Sequence, residues 1–212
     1  CSNNTVVPDR YDTLLKIIEY TQPDIFVACE VQVKRGADSV LTRSLNVNGI
    51  TKYAMANWVS NTSGFGDLNN ILFYNTDKLV LHSQFEIENS TRDINHYILY
   101  ARDPNLANHF DTTFYEVFMC HLKAGSGSAE QAVRNEQVQI FRDYMDARPL
   151  NRHYFFCGDL NVYTSNEAAY QTLISGGINP LVDPINRLGN WNNNGAFDDV
   201  HTQSTRSSGN FD

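Results

Sequence analysis

The chain has 212 residues, of which 42% are hydrophobic and 12% aromatic, enough apolar material for one compact domain with its own core. Its 24 acidic and 16 basic residues leave a formal charge of -8, which excludes the basic field needed for avid, salt-sensitive binding to phosphate polymers, though not the cleavage of one. The longest apolar runs, IFVAC and YFFC, are far shorter than a bilayer-crossing helix.

Residues 8–21 predict an amphipathic helix, with Tyr11, Leu14, Leu15 and Ile18 at helical spacing and Pro23 as its stop. DIFVACE then reads as a buried strand, and residues 31–45 as a second helix. A strand over 53–59 precedes a Gly-Ser-Asn loop at 60–67. Strands follow over 70–74, 79–88, 94–102 and 112–122, separated by turn residues. Helical spacing returns over 128–147 through Val133, Gln137, Ile140, Phe141 and Tyr144, and the strand HYFFC comes next. Thr164 and Glu167 match the T-x-x-E capping box and predict a short helix through Leu173. Beyond Gly176 the Asn-, Gly- and Pro-rich sequence reads as a long surface loop. Neither repeat nor linker breaks the chain, so one domain over residues 1–212 is expected. Its mixture of helices and hairpin-like strands predicts α/β layers around mostly antiparallel sheet.

The first residue is Cys1 rather than Met, and no signal-peptide pattern is present, so processing or truncation upstream is expected. An exported location, secreted or periplasmic, is favoured. A mature bacterial lipoprotein also begins with Cys, but helix signals here start at Pro8 without the usual flexible spacer. Cys29, Cys120 and Cys157 sit inside strand-like runs without CxxC spacing and read as buried free thiols.

Three of the apolar strands end in chemistry. IFVAC runs into Glu30, VFMC into His121, and YFFCG into Asp159 with Asn161 two positions on. Strand ends are where a rigid sheet can hold polar groups in place, and a shared site is the natural inference. Singly, each has a bland reading: a solvated Glu, a hydrogen-bonded core His, an Asx turn at G-D-x-N. At GDLN, Gly158 permits close backbone approach, and period-two geometry is expected to send Asp159 and Asn161 to one side.

Taken in order, QPDIFVACEVQ, NNILFYNTDKL, CHLKAG with RNEQV downstream, and FFCGDLN resemble the endonuclease/exonuclease/phosphatase superfamily, the metal-dependent hydrolases related to deoxyribonuclease I. The resemblance covers residues 9–165. It implies a four-layer α+β sandwich, two mostly antiparallel sheets packed face to face with helices outside. It implies a Mg²⁺-dependent hydrolase of phosphate esters, with Mn²⁺ or Ca²⁺ as substitutes, most simply a phosphodiesterase or nuclease acting through an activated water. Phosphomonoesterase or sphingomyelinase-type activity, and a noncatalytic binding module, are the alternatives. Glu30 matches the metal carboxylate, His121 the histidine on the scissile phosphate, Asp159 the group that orients and activates water, and Asn161 the amide that fixes phosphate and water. Asn70 falls where the family often places a polar residue near the substrate. The parts make chemical sense together, because in-line hydrolysis needs an aimed water, a cation on the nonbridging oxygens and donors to growing negative charge.

Against the family pattern, the first strand with its terminal Asn and the C-terminal strand with its Asp-His pair are missing from the sequence. Asp212 matches the position of a carboxylate that orients the absent His, with Asn210 where an Arg is expected. A longer parent enzyme is therefore expected. A cysteine-nucleophile reading fails on geometry, since Cys120 and His121 are adjacent in a strand and point to opposite faces. His82, His96, His109, His153 and His201 show no metal-ligand spacing and read as surface or strand residues. The loops at 102–111 and 124–130 are expected to border the site. A monomer acting on a phosphate ester, nucleic acid among the candidates, completes the expectation.

Overall fold

The computed structural model describes residues 9–63, 68–109, 112–149 and 152–200. The chain forms two compact units. The first takes in residues 1–88, 92–121 and 152–158, and the second takes in 89–91, 122–151 and 159–212.

The first unit opens with α1 (Arg10–Thr21), which buries Ile18 and ends where Gln22 turns left-handed and donates its N–H to the Ile18 carbonyl, just before Pro23. Next come β1 (Ile25–Val31), α2 (Lys34–Val40), one π turn at Leu41–Leu45, and β2 (Tyr53–Met55). β3 (Asn69–Asn75), β4 (Leu79–Ile87), β5 (Ile94–Ala101), the single-turn α3 (Leu106–His109), β6 (Phe114–His121) and β7 (His153–Asp159) follow. β1, β3 and β2 form one sheet in that order, and β4 to β7 form another in sequence order. The β1–β3, β2–β3, β4–β5 and β5–β6 pairings are antiparallel.

Ile71, Leu72 and Phe73 of β3 are fully buried. Successive strand residues point to opposite faces, so β3 is covered on both sides. Ile18, Ala37 and Leu45 of the helical layer and Tyr97, Leu99, Val117 and Met119 of the four-stranded sheet pack with it into one core. Burial of each of the larger aliphatic or aromatic side chains among these stabilises the unit by about 1.5–3 kcal/mol.

Several boundaries differ from the sequence expectation. The strand expected over 53–59 stops at Met55, because Asn57 N–H is captured by Gln84 Oε1 at 2.9 Å and the backbone leaves β3. The second helix starts at Lys34 rather than residue 31, since Val31 stays in β1 and Asn69 Nδ2 caps the Val31 and Gln32 carbonyls at 2.8 and 3.2 Å. His96 lies within β5, wholly buried, its Nε2 at 2.9 Å from Glu116 Oε2.

The second unit pairs α4 (Ser128–Asp146) with α5 (Ala168–Ser175), and its last described element is a 3₁₀ turn at Gly195–Phe197. α5 begins four residues after Thr164, and no capping box forms. Thr164 Oγ1 accepts from Asn166 N–H at 3.3 Å, while the Glu167 carboxylate is held by Arg134 and accepts from Tyr163 N–H. Leu181 N–H donates to the Leu173 carbonyl at 3.0 Å, tying the expected loop beyond Gly176 back to α5. Among the described residues no helix is long and apolar enough to cross a membrane.

Candidate functional site

Glu30 owes its position to a β-bulge. The β1–β3 register runs Ile25↔Tyr74 to Ala28↔Ile71 and resumes at Val31↔Asn69, so β1 carries one extra residue between Ala28 and Val31. Glu30 takes that slack at φ 58°, a left-handed conformation that costs a non-glycine residue free energy and re-aims its side chain. Its carboxylate keeps 35% of its side-chain surface and lies 3.8 Å from His121 Nε2, a charge-range contact longer than a hydrogen bond.

His121 is the last residue of β6 and is 4% exposed. Arg92 Nη1 donates to its carbonyl at 3.2 Å, which brings a guanidinium beside the strand end. Asn70, buried in β3, donates from Nδ2 to Asn95 Oδ1 at 3.0 Å and to the Asp93 and Met119 carbonyls at 3.3 and 3.4 Å. Its amide oxygen is buried with no hydrogen-bond partner, an acceptor whose desolvation is uncompensated within the protein. Asp93 locks the nearby loop by accepting from Thr62 N–H at 2.6 Å and from the Ser63 hydroxyl.

Gly158 meets the expectation set for it. At φ 130°, a Cβ there would lie 1.9 Å from the Cys120 carbonyl oxygen, so only glycine lets β7 approach β6 this closely. The period-two argument for its neighbours does not hold. β7 ends at Asp159, and Asn161 lies beyond it at φ 49°, in an Asx-type turn where Asn161 N–H donates to Asp159 Oδ1 at 3.1 Å. Asn161 Nδ2 donates to the Leu122 carbonyl at 3.1 Å, and Leu122 N–H returns a bond to the Asp159 carbonyl at 2.9 Å.

Glu30 and His121 thus come together in the first unit, where Asn70 also lies, and Asp159 and Asn161 come together in the second. Asp212 lies outside the described residues. Among the described residues no three His, Cys, Asp or Glu side chains converge on a metal position. The donors that are present fit a hard, hydrated cation: Glu30 offers an accessible anionic oxygen, and Mg²⁺ commonly takes one or two carboxylates while keeping several waters.

The sequence pointed to no site role for Arg92, Arg134 or Gln137, and to Glu167 only as part of a capping box. The signal for two of them was in RNEQV: Arg134 and Gln137 are three apart on one helical face, and both are wholly buried. The cysteines behave as packed thiols. Cys120 is buried, and burial, followed by the charge of Cys29, raises the Cys157 thiol to about 11.

No protein-family model and no curated protein matches the chain. Solved structures do. The human Nocturnin catalytic domain with bound sulfate superposes with a TM-score of 0.55 at 17% identity, over 83% of this chain and 65% of that one. An endonuclease/exonuclease/phosphatase family protein from Bacteroides thetaiotaomicron gives 0.54 at 15% identity, over 79% and 58%. A mannosyl-6-phosphatase from the same organism gives 0.53 at 16%, over 80% and 62%. The chain has the endonuclease/exonuclease/phosphatase, deoxyribonuclease I-like fold. It spans less than two thirds of the length of each of these three structures.

Proposed function

We propose that this protein is a metal-dependent hydrolase of phosphate esters, most simply a phosphodiesterase or nuclease. The observation that carries the reading is the placement of Glu30: a strained bulge directs an accessible carboxylate to within 3.8 Å of a buried histidine at a strand end. Left-handed non-glycine residues persist where the surrounding structure over-determines them, and they concentrate at functional sites. The fold is shared with a mannosyl-6-phosphatase and with a Nocturnin domain that binds sulfate, a tetrahedral oxyanion.

In this reading Glu30 would hold a Mg²⁺, which when bound would supply positive charge against the phosphate. His121 donates a hydrogen bond to the phosphoryl oxygens as negative charge grows on them. Asp159 aligns the attacking water and takes its proton, its carboxylate anchored by Asn161 N–H. Asn161 is held by the Leu122 carbonyl and offers its amide to phosphate and water. Asn70 presents its unpartnered amide oxygen to a substrate or water donor. Asp212 is assigned the orienting carboxylate that the sequence resemblance implies.

The test pairs a melting curve with a single-turnover rate on bis-p-nitrophenyl phosphate in Mg²⁺. Asp159→Asn keeps the hydrogen-bonding shape of the turn but has no useful basicity, so the melting midpoint should stay within a few degrees while hydrolysis falls by about a hundredfold or more. A rate within about threefold of the parent rejects the assignment and moves the binding-module reading ahead. Glu30→Gln should weaken the Mg²⁺ dependence, and a panel of double-stranded DNA, RNA, sphingomyelin and inositol phosphates sorts the substrate class.

A further inference from the structure

A closed circuit of hydrogen bonds joined by short stretches of backbone runs in the second unit through Asp159 and Asn161 and is completed by two buried charges that the mechanism does not use. Arg134 in α4 and Glu167 at the start of α5 have side chains that are 0% and 1% exposed. Arg134 Nε and Nη2 both donate to Glu167 Oε2, at 2.9 and 2.7 Å. The remaining carboxylate oxygen, Oε1, accepts Tyr163 N–H at 2.9 Å. On the other side Arg134 Nη1 donates to the Lys123 and Gly125 carbonyls, each at 2.7 Å. Gln137, one turn along α4, accepts Lys123 N–H at 2.9 Å. The Leu122 backbone and the Asp159–Asn161 turn are bonded to each other in both directions, as described above. The path therefore closes: Arg134, the Lys123 carbonyl, Leu122, the Asp159–Asn161 turn, Tyr163, Glu167 and back to Arg134.

We propose that Arg134 and Glu167 are a positioning pair, which holds the segment from Asp159 to Tyr163 in the geometry that hydrolysis requires. The inference rests on the phosphoesterase reading for its catalytic consequence, though not for the circuit itself. Two features favour positioning over bulk stabilisation. Burying an ion pair is a poor way to gain stability compared with apolar packing, yet it sets direction well, because the planar guanidinium fork donates along fixed lines. Moreover both partners bond backbone groups of the loops around Asp159 and Asn161, Arg134 by donating to the Lys123 and Gly125 carbonyls and Glu167 by accepting Tyr163 N–H, and Arg134 also lies over the Tyr163 ring, 5.4 Å from its centroid. The segment leaves β7 at Asp159 and turns left-handed at Asn161, and beyond the strand it is held by these bonds together with Trp191 and Asn192 N–H donating to the Tyr163 carbonyl at 2.9 and 3.2 Å.

The experiment has two arms on the full chain. Hydrogen exchange is followed at the Asn161, Tyr163 and Lys123 amides in Arg134→Lys and Glu167→Gln, with the α5 amides as an internal reference. We expect the three loop amides to exchange at least about tenfold faster relative to that reference. Equal acceleration throughout the unit, or none, overturns the clamp. In the second arm both variants are assayed on bis-p-nitrophenyl phosphate well below their melting midpoints. kcat should fall by about ten- to a hundredfold with KM changed less than about twofold, as for a misplaced catalytic group. Guanidinium at nondenaturing concentration should restore part of kcat in Arg134→Ala. Loss that follows only the unfolded fraction overturns positioning. If Asp159→Asn is itself active the functional reading fails, and the exchange arm still decides the circuit.

Discussion

Replacing Gly158 with alanine tests the close approach of β7 to β6, which sets the backbone immediately before Asp159. Two costs add. At φ 130° an L-residue is strained, at about 1–3 kcal/mol for a sparsely populated backbone region. The new Cβ would also lie 1.9 Å from the Cys120 carbonyl oxygen and 2.9 Å from its carbon, both backbone atoms that cannot rotate away. Overpacking of this kind adds about 1–3 kcal/mol. The expected loss is about 2–6 kcal/mol, which for a chain of this size lowers the melting midpoint by roughly 4–24 °C. Gly49→Ala is the control, because Gly49 has φ 84° but nothing within 4 Å of its added Cβ. It carries the backbone strain without the collision. Thermal and urea melts of both variants separate the terms, and Gly158→Ala should fall well below Gly49→Ala. Equal midpoints for the two would refute the close-approach argument, and a parent-like Gly158→Ala would refute the geometry of the strand pair altogether.

Two further outcomes follow from side-chain environments. Cys157, raised to about 11 chiefly by burial, should react with a thiol reagent at pH 8 far more slowly in the folded protein than in urea, and fast labelling that abolishes activity would restore the cysteine-nucleophile reading. The Lys78 ammonium, hydrogen-bonded to Asp24 at 2.8 Å, holds the Asp24 carboxyl below its usual range against the opposing effect of burial. Because that pKa is depressed on folding, its contribution is present above the unfolded value near ~3.9 and disappears as pH falls through the folded one. Asp24→Asn should therefore flatten the acid side of the stability profile slightly, an effect that salt weakens for so exposed a pair; an unchanged profile at low salt counts against the ion pair.

What the sequence by itself determined was the set of elements and the places where they end in polar groups. Apolar periodicity is local, so α1, α4 and the strands were legible within a few residues, and the ends of VFMC and YFFCG marked His121 and Asp159. The demand for glycine at 158 was legible too, because it follows from the tight passage of a backbone. The order of the motifs also carried the fold class, now matched by structures at only 13–17% identity. Only the tertiary structure decided how those polar groups are aimed. The bulge that turns Glu30 left-handed comes from a mismatch of one residue between β1 and β3, which neither strand encodes alone. Asn161 escaped the alternation rule because β7 had already ended. The Glu167 side chain, read as the partner of Thr164 in a capping box, is instead paired with an arginine 33 positions earlier in the chain. A capping motif is a local hydrogen-bond preference of about 1 kcal/mol, and a buried guanidinium without its carboxylate would cost several times that, so the distant partner takes the side chain.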